Sequence, residues 1–407
     1  MSTIRPFNAL RPSPASVDRV SAVPYDVVNT EEARALAAGQ PLSFLHVSRA
    51  EIDLPANTDP YSAAVYARAL ENFNQLRRAA PLVVEDGPAV YFYRLKMGSH
   101  SQTGLAACYS VDEYERGLIK KHEKTRREKE DDRTRHISTL KAQTGPVFLT
   151  YRASNAIDAI AARVTAGAPL FDFESADHVR HTLWRVTGTD LAALVRAFGE
   201  LPWLYIADGH HRAASAARTR AFLAGQSPQT DTDEAGWMLA VAFPDNQTQI
   251  LPYNRVVRDL GGRTPESLLA ELKTRVGAEN GTPTPTKKGE VGMYLAGRWY
   301  TLHLAAPAGG GDVGSTLDVS LLQDQVLAPL LGIGDPRTDK RIDFVGGIRG
   351  TGELEKLVDG GRAAVAFSMF PVGVGDLMRI ADAGEIMPPK STWFEPKLRD
   401  GLLIHLI

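Results

Sequence analysis

The segment order of this 407-residue chain predicts an α+β fold with mixed sheets and interspersed helices. Two pairs of strand-like runs are joined by tight turns: Ala89–Leu95 with Gln102–Ser110 around Gly98-Ser99-His100, and Val291–Leu295 with Trp299–Leu304 around Ala296-Gly297-Arg298. Hairpins at that frequency do not suit a doubly wound parallel sheet. The third observation is an apolar run, Trp203–Ala207, that stops in the polar turn Asp208-Gly209-His210-His211-Arg212 and opens an Ala-rich helix closed by Gly225. A strand feeding such a turn points free backbone N–H groups and the positive helix end the same way, which suits an anion. Gly209 permits the tight bend.

The remaining elements follow in order. Pro6, Pro12, Pro14 and Pro24 punctuate residues 1–30 and keep them extended or looping. Asn29 and Glu32 form a capping pair for a helix through Ala38, closed by Gly39. Ser43–Arg49 reads as a strand. A helix from about Pro60 to Arg78 carries Ala64, Tyr66, Ala69, Leu70, Phe73 and Leu76 on one stripe. Further strands are expected at Val147–Tyr151, His181–Val186, Met238–Phe243 and Ala363–Phe370. Further helices are expected at Asp190–Phe198, Pro265–Arg275, Val319–Leu331 and Val374–Ala383. Asn280–Glu290 and Pro307–Gly314 have loop composition. The second of these is read as the junction between an α+β catalytic region, 1–306, and a C-terminal region, 315–407.

Composition narrows the function classes. A formal net charge of −2 provides no global basic field for nucleic acid or acidic membranes. The single cysteine, Cys108, excludes an internal disulfide framework and a multi-cysteine metal site, and its apolar surroundings read as a buried thiol. The opening residues lack a signal-peptide pattern and no apolar run reaches membrane-spanning length, so a cytoplasmic protein is expected.

Three dense polar segments could carry chemistry. Besides the Asp208–Arg212 turn there is the almost wholly charged run Ile119–His136. Such a run suits a solvated, salt-bridged helix, but its start follows the strand-like Gly117-Leu118-Ile119. That places Lys121, His122, Glu123 and Lys124 at a mouth of the fold, where the lysines would neutralise phosphate and Glu123 would serve as a base. The third segment, Met387–Lys397, reads either as a packed C-terminal loop or as a wall supplying Lys390 to an anionic ligand. A zinc-protease motif fails, because His122-Glu123 is followed by Lys124-Thr125-Arg126. Asp208, His210 and His211 could ligate a metal, but adjacent histidines on a turn rarely converge on one zinc. No Gly-x-x-x-x-Gly-Lys-Ser/Thr loop and no Gly-x-Ser-x-Gly elbow is present.

Together, Ile4-Arg5-Pro6-Phe7, Pro24-Tyr25-Asp26-Val27-Val28, Lys121-His122-Glu123-Lys124-Thr125, Ala207–Arg212 and Met387–Phe394 resemble a widespread bacterial family of unknown function, DUF1015. The Asp-Gly-His-His-Arg turn is in turn similar to the Asp-Gly-Asn-His-Arg motif of free-serine kinases with a ParB/sulfiredoxin-like fold. That resemblance implies a ParB/sulfiredoxin-like core and phosphoryl transfer between ATP or ADP and free serine, or the reverse reaction from phosphoserine. It aligns Asp208, Gly209, His211 and Arg212 with the motif, while His210 replaces an amide. In this reading Asp208 orients His211 or Mg2+, and Gly209, His210 and Arg212 hold the nucleotide phosphate. Glu123 takes the hydroxyl proton, with His122 beside it, and Lys121, Lys124 and Lys390 spread the remaining charge. The alternatives are a ParB-like nucleic-acid-binding protein or nuclease, disfavoured by the net charge, and a non-catalytic sensor of a phosphorylated metabolite. Homo-oligomerisation stays open.

Overall fold

A nine-stranded mixed sheet organises the first of two units in the computed structural model, which describes residues 2–79, 82–225, 233–307 and 311–407. That unit comprises Met1–Thr248 and Pro396–Ile407; the second is Gln249–Glu395. The strands of this sheet are β1 (Ile4–Arg5), β2 (Val90–Met97), β3 (His100–Ser110), β4 (Ile119–Lys120), β5 (Val147–Tyr151), β6 (Phe171–Glu174), β7 (Val179–Val186), β8 (Leu204–Asp208) and β9 (Trp237–Pro244). Their order is β4-β8-β5-β9-β3-β2-β7-β6, with β1 also on β3. The pairs β4–β8 and β5–β9 are parallel; the others are antiparallel, including the expected β2–β3 hairpin, which closes at Met97 opposite His100. The central strands β5 and β9 are buried along nearly their whole length, which is why they read as continuous apolar runs rather than alternating ones.

The main helices of the first unit are α1 (Thr30–Ala37), α2 (Leu45–Ser48), α3 (Ala63–Ala79), α4 (Arg127–Leu140), α5 (Asn155–Thr165), α6 (Gly188–Gly199) and α7 (His210–Ala224), of which α5, α6 and α7 pack on the core of the sheet. Asn29 and Glu32 make the expected capping box on α1. Leu149, Leu204, Ile206, Leu194, Phe198 and Ala213 belong to one apolar core, while Phe44, Leu45, Val47, Ala69 and Phe73 belong to another. That second core corrects one expectation: Ser43–Arg49 is not a strand, and α2 occupies it. Phe44, Leu45 and Val47 are all buried against α3 and its neighbours, and an apolar run this short carries no period that separates strand from helix. Cys108 is buried and unpaired, as expected.

The second unit holds a six-stranded antiparallel sheet in the order Glu279–Asn280, Arg298–His303, Glu290–Leu295, Val365–Met369, Tyr253–Val257, Ile342–Gly346. The expected second hairpin is there, and Glu279–Asn280 trims the start of the expected loop with a short strand on Tyr300 and Thr301. The junction expected between 306 and 315 is not where the units divide. Glu290–Leu295 pairs along its length with Val365–Met369, so the chain on both sides of that stretch shares one sheet; residues 308–310 lie outside the described residues. The helix expected at Val319–Leu331 is present with a π-helical middle, Gln323–Leu327. The final residues return to the first unit, where His405–Leu406 pairs with Ala142–Gln143. Among the described residues no helix is long and apolar enough to cross a membrane.

Candidate functional site

The parallel pairing of β4 with β8 sets Leu204 beside Ile119 and Tyr205 beside Lys120. Two parallel strands release their carboxyl ends on the same side, where ligand crevices form in α/β sheets. The segment after β4 (Lys121–Arg126) therefore emerges beside the Asp208–Arg212 turn, 85 residues away in sequence for the Arg126–His211 contact. The β5–β8 ladder shifts register between Ile206 and Asp208, and such a bulge re-aims the side chain at the strand end. Gly209, at φ 90°, turns the chain into α7 as its N-cap.

Both imidazoles of the turn fasten the 121–126 segment. His210 Nε2 accepts the His122 backbone N–H at 3.4 Å, and His211 Nε2 accepts that of Arg126, the N-cap of α4, at 3.0 Å. The two adjacent histidines thus point to different partners, as expected for neighbours on a turn. The convergence that sequence reasoning missed runs across the chain. His122 and His210 are 2% and 4% exposed, with rings edge to face at 4.4 Å and 89°. The Glu123 carboxylate is 3.8 Å from His210 Nδ1 and its side chain is 40% exposed. Burial pushes His122 down to about 4. Burial, then the neighbouring His122, holds His210 well below the usual imidazole range.

Asp208 is anchored on both oxygens, by the Gly209 backbone N–H at 2.8 Å and the Lys397 ammonium at 2.9 Å. Burial alone would raise its pKa, but Lys397 and then Arg212 outweigh that and hold the carboxyl well below the usual carboxylate range. Lys397 was absent from the expected set; it comes from the C-terminal return, and only the tertiary fold brings it here. Both oxygens of Asp208, the expected Mg2+ ligand, are thus engaged by protein groups.

Arg212 is likewise occupied. Its Nη2 reaches both oxygens of Asp26 at 2.9 Å and its Nη1 reaches the Pro146 carbonyl at 2.7 Å, with the side chain 7% exposed. It ties the Pro24-Tyr25-Asp26 motif to the turn, so the expectation that it holds phosphate finds both terminal nitrogens spent on protein. Lys121 is exposed, with Nζ 3.8 Å from the Tyr114 ring centre. Lys124 is exposed on the same segment. Lys390 belongs to the second unit, with Nζ 5.4 Å from the Tyr253 ring centre. Further along the charged run, Arg133 lies over Tyr25 at 4.0 Å and Arg135 over Tyr66 at 5.0 Å. Lys129 donates to the Tyr61 hydroxyl at 2.7 Å. The helix is therefore not wholly solvated: Asp132 and His136 are buried, and these three cations meet tyrosines from distant parts of the chain. Beyond α4 lies a polar cavity of about 180 Å³, lined by Tyr25, Ser48, Arg49, Tyr66, Lys129 and Arg133 among others.

No curated protein matches the chain. Among solved structures, a conserved hypothetical protein from Pyrococcus furiosus shares 14% identity at a TM-score of 0.34, covering 72% of this chain and 93% of its own. A free serine kinase in complex with AMP shares 12% identity at 0.35, covering 71% and 86%. SbnI with a C-terminal truncation, from Staphylococcus aureus, shares 12% at 0.33, covering 72% and 84%. The fold and site described above stand without these distant likenesses. A family model described as "Protein of unknown function (DUF1015)" matches residues 4–320. That range takes in β1, the 121–126 segment and the Asp208–Arg212 turn, though not Met387–Phe394, and the chain belongs to that family.

Proposed function

We propose that this site transfers a phosphoryl group between a nucleotide, ATP or ADP, and a small hydroxyl compound, free L-serine, in either direction. The observation that carries the proposal is the fastening of 121–126 onto the Asp208–Arg212 turn by His210 and His211. It gathers a partly exposed carboxylate, Glu123, and two exposed cations, Lys121 and Lys124, at one mouth. Phosphoryl transfer asks the protein for positioning and charge neutralisation more than for covalent work. In this reading Lys121 and Lys124 neutralise phosphate oxygens and Glu123 accepts the hydroxyl proton. His122 and His210, buried and neutral, position Glu123 rather than exchange protons. Asp208, paired with Lys397, and Arg212, paired with Asp26, hold the turn in shape, and His211 holds the strap. The likeness of Asp-Gly-His-His-Arg to the free-serine-kinase motif supports the choice of acceptor.

The test is release of phosphoserine from serine with ATP or ADP, followed by phosphorus NMR. Glu123→Gln is expected to lower turnover by about 100-fold or more, with the fold retained. Asp208→Asn is expected to lower turnover too, through loss of the Lys397 pair. Full activity in both variants would refute the assignment.

A further inference from the structure

The buried pair of imidazoles has more ligating capacity than the fold uses. His122 makes a hydrogen bond to the Ile206 carbonyl, while its Nδ1, also buried, has no partner. A neutral imidazole that donates from one nitrogen to a carbonyl presents a lone pair on the other, which is how protein scaffolds orient a metal-binding histidine. The same ring belongs to a set of donors: one ligating atom each from His122, Glu123 and His210 lies within 4.8 Å of the others.

We infer that His122, Glu123 and His210 form a site for one divalent transition-metal cation of the zinc or cobalt class. Two imidazoles and one carboxylate favour such ions over Mg2+ or Ca2+, which prefer all-oxygen shells. Metal–donor distances of about 2.0–2.2 Å ask for donors about 3.3 Å apart in a tetrahedral site. The present spacing closes by rotation of Glu123, whose side chain is 40% exposed, and by release of the long 3.4 Å contact on His210 Nε2. Three protein ligands leave a position open to water or a ligand, the pattern of catalytic rather than structural sites. Asp208 adds negative charge close to both rings, and Lys121 opposes it at His210. The site stands independently of phosphoryl transfer, and it assigns Glu123 a second role. A bound cation competes with the proton for that carboxylate, so in the kinase reading zinc inhibits at concentrations that fill the site.

The test is titration of chelator-stripped full-length protein with Zn2+ by calorimetry and with Co2+ by visible absorption, without nucleotide or serine. The expected result is one cation per chain and a Co2+ d–d band typical of low coordination number. Affinity should fall at least about tenfold in His122→Ala, His210→Gln and Glu123→Gln, and stay unchanged in His178→Ala, a surface histidine elsewhere in the unit. If His122→Ala fails to fold, the more exposed Glu123→Gln carries the comparison. No binding, or binding unaffected by Glu123→Gln and His210→Gln, overturns the inference. Metal binding without phosphoserine formation would overturn the kinase reading and leave this site standing, and the converse result would do the opposite.

Discussion

Removing Asp26 tests whether Arg212 is a structural tie. The Arg212 side chain is 7% exposed, and Asp26, 36% exposed, is its carboxylate partner through two 2.9 Å contacts. In Asp26→Ala the guanidinium stays buried with the Pro146 carbonyl and the Tyr25 ring, 5.8 Å away. Stranding a buried charge costs about 3–5 kcal/mol. The half-open position of Asp26 screens the pair, and Asp208 and Asp400 still act on Arg212, which lowers the expectation to about 2 kcal/mol. Arg212→Met should cost less, because Asp26 can then turn to solvent. The double variant should be more stable than the sum of the two losses predicts, by about 1 kcal/mol or more. Urea-dependent hydrogen exchange of β8 and α7 amides reads this in the first unit without mixing in the second. A loss below about 0.5 kcal/mol in Asp26→Ala would refute the tie. So would an Arg212→Met variant that keeps full stability but loses nucleotide binding, which would return Arg212 to the ligand.

Three further outcomes follow from the same geometry. Gly209→Ala is expected to cost about 1–2 kcal/mol, since φ is +90° while the added Cβ would meet only ordinary contacts at 3.5 Å. Gly209→Asn should cost less in thermal unfolding, and the reverse order would show that space, not backbone, is limiting. Burial holds His122 and His136 at about 4 and His181 at about 3, so the unfolded chain binds protons near pH 6.5 that the folded chain refuses. Stability should therefore fall as pH drops from 6.5 toward 4, by about 1.4 kcal/mol per pH unit for each ring, with matching proton uptake on unfolding; a flat profile in that window contradicts the assignment. Asp400 works in the other direction. Burial raises it to about 7, and its Oδ1 is buried without a partner, so its proton stabilises the fold at low pH and that contribution is lost as pH rises through 7. Asp400→Asn should raise stability at pH 8 by up to about 4 kcal/mol and give no gain below pH 4, as measured by unfolding at the two pH values.

Much of the scaffold was legible because its signals are local. The β2–β3 hairpin, the α1 capping box and the corner from β8 through Gly209 into α7 each depend on residues within a few positions of one another. The α2 error and the displaced unit boundary share a different cause. Leu45 and Val47 become helical as they pack in one core with α3, and the chain on both sides of residues 308–310 belongs to one unit because Glu290–Leu295 pairs with Val365–Met369. Both are settled by partners distant in sequence. The site shows the same division more sharply. A residue's type states what it can bind, and only the tertiary partner states whether that capacity is already spent. Asp208 and Arg212, the expected ligands of the turn, spend theirs on Lys397, Gly209, Asp26 and Pro146. His122, which by sequence belonged to a solvated charge run, is buried with an unspent ring nitrogen because β4 lies parallel to β8. That unspent ring nitrogen, rather than the density of polar residues, is what the tertiary structure adds to this corner.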